Sequence, residues 1–226
     1  MKFSLTAYNV ASGTHVLEMY SLIIFERTTT YMKKILTAIF SLMLVMTAIA
    51  QEKPEGLFIN SKAPDFKAKD QDGNEVNLKD LRKKGNVVVV FYRGNWCPFC
   101  NRYLKKLQDS LELIKGKGAQ LVAITPEGDE GVDSTIAHTG ATFPIIYDKD
   151  MKIANGYKVA FKVDERTLGR YKNAGIDLLK TNNQTKDAYL PVPAIFIVNK
   201  EGAVIFRYFD EDYRRRVNVK EILAAL

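Results

Sequence analysis

The sequence predicts an α/β domain built on one central mixed β-sheet with helices on both faces. Three features carry this. Residues 87–92, Val-Val-Val-Val-Phe-Tyr, are a continuous run rich in β-branched residues, the pattern of a strand buried on both faces in a parallel sheet. A helical stretch and a second apolar strand follow, the order of a βαβ unit. Late in the chain, residues 194–198 and 203–209 are two strands joined at Glu201-Gly202, an antiparallel pair.

Taken in order, residues 66–78 read as a hairpin that turns at Asp72-Gly73-Asn74. Residues 81–85 read as a charged connector. After the strand 87–92, Leu104, Leu107, Leu111 and Ile114 recur at helical spacing, and Gly116 and Gly118 stop the helix. Residues 120–125 are the next strand, 133–138 a short helix, 144–147 a short strand and 149–155 a helix ending at Gly156. Residues 164–187 are polar and read as an insertion, helical around 177–180. After the late hairpin, Asn218 caps a last helix, with Glu221 at the capping-box position and Ile222, Leu223 and Leu226 on its apolar face.

The N-terminal region carries a different signal. From Met32, Lys33-Lys34 is a charged start, residues 35–46 are apolar, and Ala48-Ile49-Ala50 precedes Gln51. This is the three-part layout of a secretory signal peptide. The stretch 35–50 is 16 residues long, short of the ~20 that span a bilayer. We therefore expect a signal peptide at 32–50, a mature domain at 51–226, and no stable membrane insertion after cleavage. Residues 1–31 precede a complete signal and are expected to be a disordered, non-native upstream extension. The chain is then exported, to the periplasm or beyond.

Composition narrows the function. The 226 residues are 46% hydrophobic, enough for a sizeable core, with a net charge of +7. The basic residues are scattered, whereas nucleic-acid binding would gather them on one face. The densest run, Arg214-Arg215-Arg216, reads as a solvated surface.

The two cysteines, Cys97 and Cys100, are the only ones and lie three apart. They stand in Arg93-Gly94-Asn95-Trp96-Cys97-Pro98-Phe99-Cys100, where a buried strand gives way to a helix. The first N–H groups of a helix lack internal partners and carry the positive end of its dipole, so a thiolate there is stabilised. Pro98 suits the first helical position. A structural disulfide closing so short a loop would stabilise by only ~2 kcal/mol. A structural zinc site needs four ligands, and besides the two cysteines the mature chain holds one distant histidine, His138. Redox chemistry at Cys97 and Cys100 is the stronger reading, with no metal or cofactor implied. The dipole favours Cys97 as the lower-pKa, more exposed thiol, and Cys100 lies one turn deeper. Trp96, Pro98, Arg93 and Pro193 are supporting candidates. Arg93 is either a partner for a thiolate or a surface charge at a strand end. Pro193 begins the strand 194–198, where a proline costs no ladder bond; functionally it is a candidate for a cis Val192–Pro193 bond beside the cysteines. His138 reads as a solvated helix residue.

Ala63-Pro64-Asp65-Phe66, the Asp72-Gly73 turn with Val76-Asn77-Leu78, the segment from Phe91 to Cys100, and Pro193-Ala194-Ile195-Phe196-Ile197 together resemble the AhpC/TSA peroxiredoxins, in the branch that carries a Cys-x-x-Cys. The resemblance spans about residues 57–226. It implies a thioredoxin-like fold, antioxidant thiol chemistry on peroxides, and a thioredoxin-like thiol/disulfide electron donor as partner. It also assigns peroxide attack to Cys100. Two positions depart from the family. Cys97 stands where a Thr is usual, and Pro193 where an Arg is usual; both replacements are what thioredoxins have. The expected function is a peroxiredoxin-like peroxidase. The alternatives are a disulfide reductase or oxidase acting on disulfide substrates, and a non-catalytic redox-sensing or binding module.

Overall fold

The computed structural model describes residues 8–47 and 53–226, which fall into two compact units divided near residue 52. The first is a single helix, α1 (Tyr8–Thr47). The extension expected to be disordered is therefore helical from Tyr8 onward. Thr28, Thr29, Thr30 and Thr37 turn their hydroxyls back onto carbonyls four residues earlier, which satisfies each hydroxyl within the helix itself. No described helix is long and apolar enough to cross a membrane. Ala48-Ile49-Ala50 and Gln51, the expected cleavage site, lie outside the described residues.

The second unit begins with the expected hairpin. Strands β1 (Lys67–Lys69) and β2 (Glu75–Asn77) pair antiparallel. Asp70 closes the turn by accepting the N–H groups of Asp72 and Asn74, with Gly73 at φ 79°. The connector read at 81–85 is instead part of a helix, α2 (Leu78–Lys84), capped by the Asn77 side chain and anchored by fully buried Leu78. Charge density hid it, because its exposed face carries nearly all its polar residues.

Strand β3 (Val87–Phe91) follows, buried throughout. Helix α3 (Pro98–Asp109) leads into α4 (Leu111–Gly116), so the single helix expected here breaks at Ser110, which has φ −105° and ψ 6°. Then come β4 (Gln120–Thr125), α5 (Asp129–Thr139), β5 (Ile145–Tyr147) and α6 (Lys152–Gly156). Strands β6 (Ala160–Lys162) and β7 (Tyr189–Pro191) form a separate antiparallel ribbon. Between them lies the predicted insertion, which is more helical than expected: α7 (Glu165–Asn173) and α8 (Leu178–Thr181). Asp164 and Asp177 cap the two helices. Strands β8 (Ala194–Val198) and β9 (Val204–Phe209) are the late hairpin, and α9 (Val219–Ala225) carries the complete capping box of Asn218 and Glu221.

The main sheet has the order β5-β4-β3-β8-β9. Strand β3 runs parallel to β4 and antiparallel to β8, and β4 runs parallel to β5. This is the mixed sheet predicted. Strand alternation divides β3 between two cores. Val88 and Val90 join Leu104, Leu107, Ile114, Ile195, Ile197 and Ile222, the side of α3, α4 and α9. Val87, Val89 and Phe91 join Leu78, Tyr157 and Phe196 on the opposite face. Both cysteines belong to the first core.

Leu107 ties α3 to that core and is fully buried. Leu107→Ala should destabilise the domain by about 2–5 kcal/mol. A urea titration should show a lower midpoint with an unchanged slope.

Candidate active site

The end of β3 sets the site. Tyr92 and Arg93 are still buried. The chain then turns through Gly94, at φ 145°, and Cys97 becomes the N-cap of α3 with Pro98 in its first turn. Cys97 N–H donates to Gly94 O at 3.1 Å, and Cys97 O accepts from the N–H groups of Cys100 and Asn101 at 3.0 and 3.1 Å. Asn101 Nδ2 donates to Asn95 O at 2.6 Å, bracing the turn from the helix side.

Both thiols are free and buried, at 2% and 1% exposure. Cys97 is the more exposed of the two, as expected, but by a narrow margin, because both sulfurs belong to the first core. The expected order of acidity stands. Cys97 is held down at about 6, chiefly because the Cys100 thiol donates to its sulfur; burial opposes this, and the cations of Arg93 and Arg216 assist. Cys100 is pushed well above the usual thiol range by burial and then by the Cys97 charge. Near neutrality the pair is therefore one thiolate, Cys97, hydrogen-bonded by one thiol, Cys100.

Arg93 is not a surface charge. It is 4% exposed, and its guanidinium lies over Tyr213, Trp96 and Tyr171 at 4.2, 4.8 and 5.6 Å from the ring centres. It also donates to the Tyr171 hydroxyl. Rings that face a cation hold it without neutralising it, so its charge still acts on Cys97. Trp96 packs edge-on against Tyr171 at 5.1 Å, and both adjoin the small core of the insertion formed by Val163, Leu178, Ala188 and Leu190. The insertion thus roofs the cysteine turn.

Pro193 lies where expected, directly before β8 and lining a cavity of about 10 Å³ with Cys100, Tyr103, Tyr208 and Arg216. The Val192–Pro193 bond is trans, not cis, since no described peptide bond is cis; trans is the favoured isomer of an X–Pro bond. His138 is exposed on α5, as read.

Two further residues escaped the sequence reading. Arg216, taken as part of a solvated run, places Nη2 3.4 Å from Cys100 Sγ. Arg214 and Arg215 do face solvent. Only the buried neighbour Val217 hinted that the run turns inward at its end. Glu127 is fully buried just beyond β4; the hint was an acidic residue so close to an apolar strand.

The sequence profile of the AhpC/TSA family matches residues 59–207. The chain belongs to the AhpC/TSA family. Among its relatives, a putative peroxiredoxin bcp of Helicobacter pylori is 33% identical over 150 residues, covering 66% of this chain and 86% of the relative. The thiol-disulfide oxidoreductase ResA of Bacillus anthracis is 24% identical over 192 residues, covering 81% of this chain and 92% of that protein. Among solved structures, the peroxidoxin BcpB of Mycobacterium tuberculosis superposes with a TM-score of 0.56 at 16% identity, covering 74% of this chain and 94% of the other. Peroxiredoxin Q of Xanthomonas campestris gives 0.54 at 17% identity, covering 71% and 88%. These likenesses establish the thioredoxin-like fold of the peroxiredoxins. With its dithiol and its relatives, this family member is a thiol-dependent oxidoreductase.

Cys97 ties acidity to stability. Its folded-state pKa is depressed, so its stabilisation is complete above pH 9.0, the ordinary thiol value, and is lost as the pH falls through about 6. The stability advantage of the reduced protein over Cys97→Ser should therefore grow from about pH 6 to pH 9.0. Urea midpoints measured across that range test it, and a flat difference would show an unperturbed thiol.

Proposed function

We propose that this protein is an exported peroxidase in which Cys97 attacks the peroxide and Cys100 resolves the product. The observation that carries the reading is the buried pair itself, Cys97 at the helix entrance and Cys100 one turn inside the same core, with Cys97 the more acidic thiol. Thiolates, not thiols, are the nucleophiles. The cover of Trp96 and Tyr171 leaves a small oxidant better placed to reach Cys97 than the disulfide of a folded protein.

In this scheme the Cys97 sulfur attacks one peroxide oxygen, the O–O bond breaks, and Cys97 becomes a sulfenic acid while the other oxygen leaves protonated. Cys100 sulfur then displaces the hydroxyl, which leaves as water with the Cys100 proton, and the Cys97–Cys100 disulfide forms. An external dithiol of the thioredoxin kind restores both thiols by exchange. The family resemblance implies attack by Cys100; the charge distribution favours Cys97, because Cys100 is the sulfur that burial keeps protonated.

Disulfide reduction is the second reading. Cys97 and Pro193 occupy the two positions at which the chain departs from the peroxiredoxin pattern, and a low-pKa cysteine at a helix N-terminus also suits attack on disulfides. Stopped-flow consumption of hydrogen peroxide by the reduced protein, run beside insulin-disulfide reduction, separates the two. A redox-sensing module would turn over neither.

Single replacements test the assignment. Cys100→Ser should still form one sulfenic acid per chain with peroxide, at Cys97. Cys97→Ser should react at least about tenfold more slowly, since its remaining thiol is protonated at neutral pH. Mass spectrometry after sulfenic-acid trapping reads both, and the opposite pattern would return the attack to Cys100.

The signal-peptide pattern supports export, with a mature protein beginning at Gln51. N-terminal sequencing of native protein checks this. A mature chain that retains Tyr20 would show that the upstream segment is kept.

A further inference from the structure

The scheme above asks a buried, neutral thiol to become a nucleophile at its second step. Cys100 is 1% exposed, and a dry interior opposes charge on its sulfur. While Cys97 is a thiolate, its charge opposes a second one so close by. Once Cys97 has reacted, its sulfur is neutral, and the other groups around Cys100 decide how readily it attacks. The titratable and charged groups that line the cavity at Cys100 are Tyr92 after β3, Tyr103 on α3, Tyr208 on β9 and Arg216 before α9. Cys97 faces it from the helix entrance. Arg216 is the one cation in that set.

Arg216 is built into this place. Its neighbours Arg214 and Arg215 are exposed and pair with Asp212 and Asp210. Arg216 is half-buried, and its Nη1 donates to the main-chain carbonyls of Tyr213 and Arg215 at 2.5 Å each. Carbonyls hold a guanidinium without cancelling its charge. Its Nη2 donates to Cys100 Sγ at 3.4 Å, and the guanidinium stands 5.8 Å from the centre of the Tyr103 ring. Beyond it, buried Val217 and the capping box of Asn218 and Glu221 fix the chain. A guanidinium so held has already given up most of its rotamer freedom. Its bond to a sulfur grows stronger when the sulfur is charged, so the contact favours the thiolate over the thiol.

We infer that Arg216 is a catalytic residue of the resolving step: its guanidinium holds Cys100 as a thiolate while that sulfur attacks the oxidised Cys97. The inference rests on Cys97 reacting first, which the peroxidase and the disulfide readings share. On the peroxidase reading, the S–S bond forms as the S–O bond of the Cys97 sulfenic acid breaks. Cys100 sulfur is oxidised, the sulfenic sulfur is reduced, and the hydroxyl leaves as water with the Cys100 proton. On the disulfide reading, the same S–S bond forms as the bond between Cys97 and the substrate sulfur breaks, and the substrate leaves as a thiol with that proton. Arg216 keeps its own protons throughout.

Dithiobis-nitrobenzoate, held below the concentration of reduced protein, reads the two steps apart. Attack by Cys97 releases one coloured thiolate, and resolution by Cys100 releases the second. Arg216→Gln should slow the second release at least about tenfold at neutral pH, the worth of a hydrogen bond to a charged group, and leave the first little changed. Its second release should also need a higher pH to reach half of its maximum, and Arg216→Lys should recover much of the rate. Should Arg216→Gln fail to fold, Arg216→Met keeps the packing on Tyr103 and should show the same split. An unchanged second release, or two releases slowed alike, would overturn the inference. A slowed first release alone would overturn it together with the order of attack. Sulfenic acid trapped at intervals after one equivalent of hydrogen peroxide should persist at least about tenfold longer on Cys97 of Arg216→Gln; an equal lifetime would count against it in the same way. A wild type inert to peroxide that still releases both thiolates, the second slowed by Arg216→Gln, would remove the peroxidase reading and uphold the inference. A wild type that resolves neither product would overturn it.

Discussion

The juxtaposition of Cys97 and Cys100 in one buried core is the constraint on which the site turns, and it exists because a buried strand stops just before a helix begins. Strand β3 is locked between β4 and β8 by its full register, so its end cannot drift. Pro98 then starts α3, and the short span from Cys97 to Cys100 places one sulfur at the helix entrance and the other one turn inside. The helix side chains Leu104 and Leu107, buried in the same core as both cysteines, keep that turn seated. The chemistry is thereby delegated to main-chain geometry and packing.

A charge placed in such a dry position needs compensation, and the surroundings supply it from several directions. Arg93 approaches Cys97 from the strand end, held among aromatic rings rather than by a carboxylate. A carboxylate partner would have cancelled the field that the thiolate uses. Arg216 approaches Cys100 from the C-terminal segment, and α9, with its capping box, anchors the chain just beyond it. Arg93 and Arg216 thus lower the cost of charge on either sulfur. Burial falls more heavily on Cys100, and that difference decides which sulfur carries the charge.

The insertion between β6 and β7 gives the site its cover. Helix α7 has no buried residue of its own, yet Tyr171 from that helix packs on Trp96 and accepts from Arg93. Through Leu168 the same helix adjoins the small core of the insertion, so α7 is tied both to that core and to the cysteine turn.

The fold class, the order of strands and the dithiol were legible in the sequence because each is a local signal. Continuous β-branched residues mark a strand buried on both faces, Pro98 marks a helix start, and Asn218 with Glu221 marks a cap. Helix α2 and the β6–β7 ribbon were not legible: α2 shows one buried side chain among charged ones, and β6 and β7 are short strands whose partners lie across a long insertion. The order of acidity of Cys97 and Cys100 was expected from the helix dipole, but in the structure it is set by the contact between the two thiols and by burial. What surrounds the sulfurs was not legible. Arg216 lies 116 residues from Cys100, and Glu127 lies 32 from Asn95. A basic run reads as surface and a lone acid as loop until the chain folds, because the sequence records which groups are present, whereas the dielectric around them and the distances between them are properties of the packed core alone.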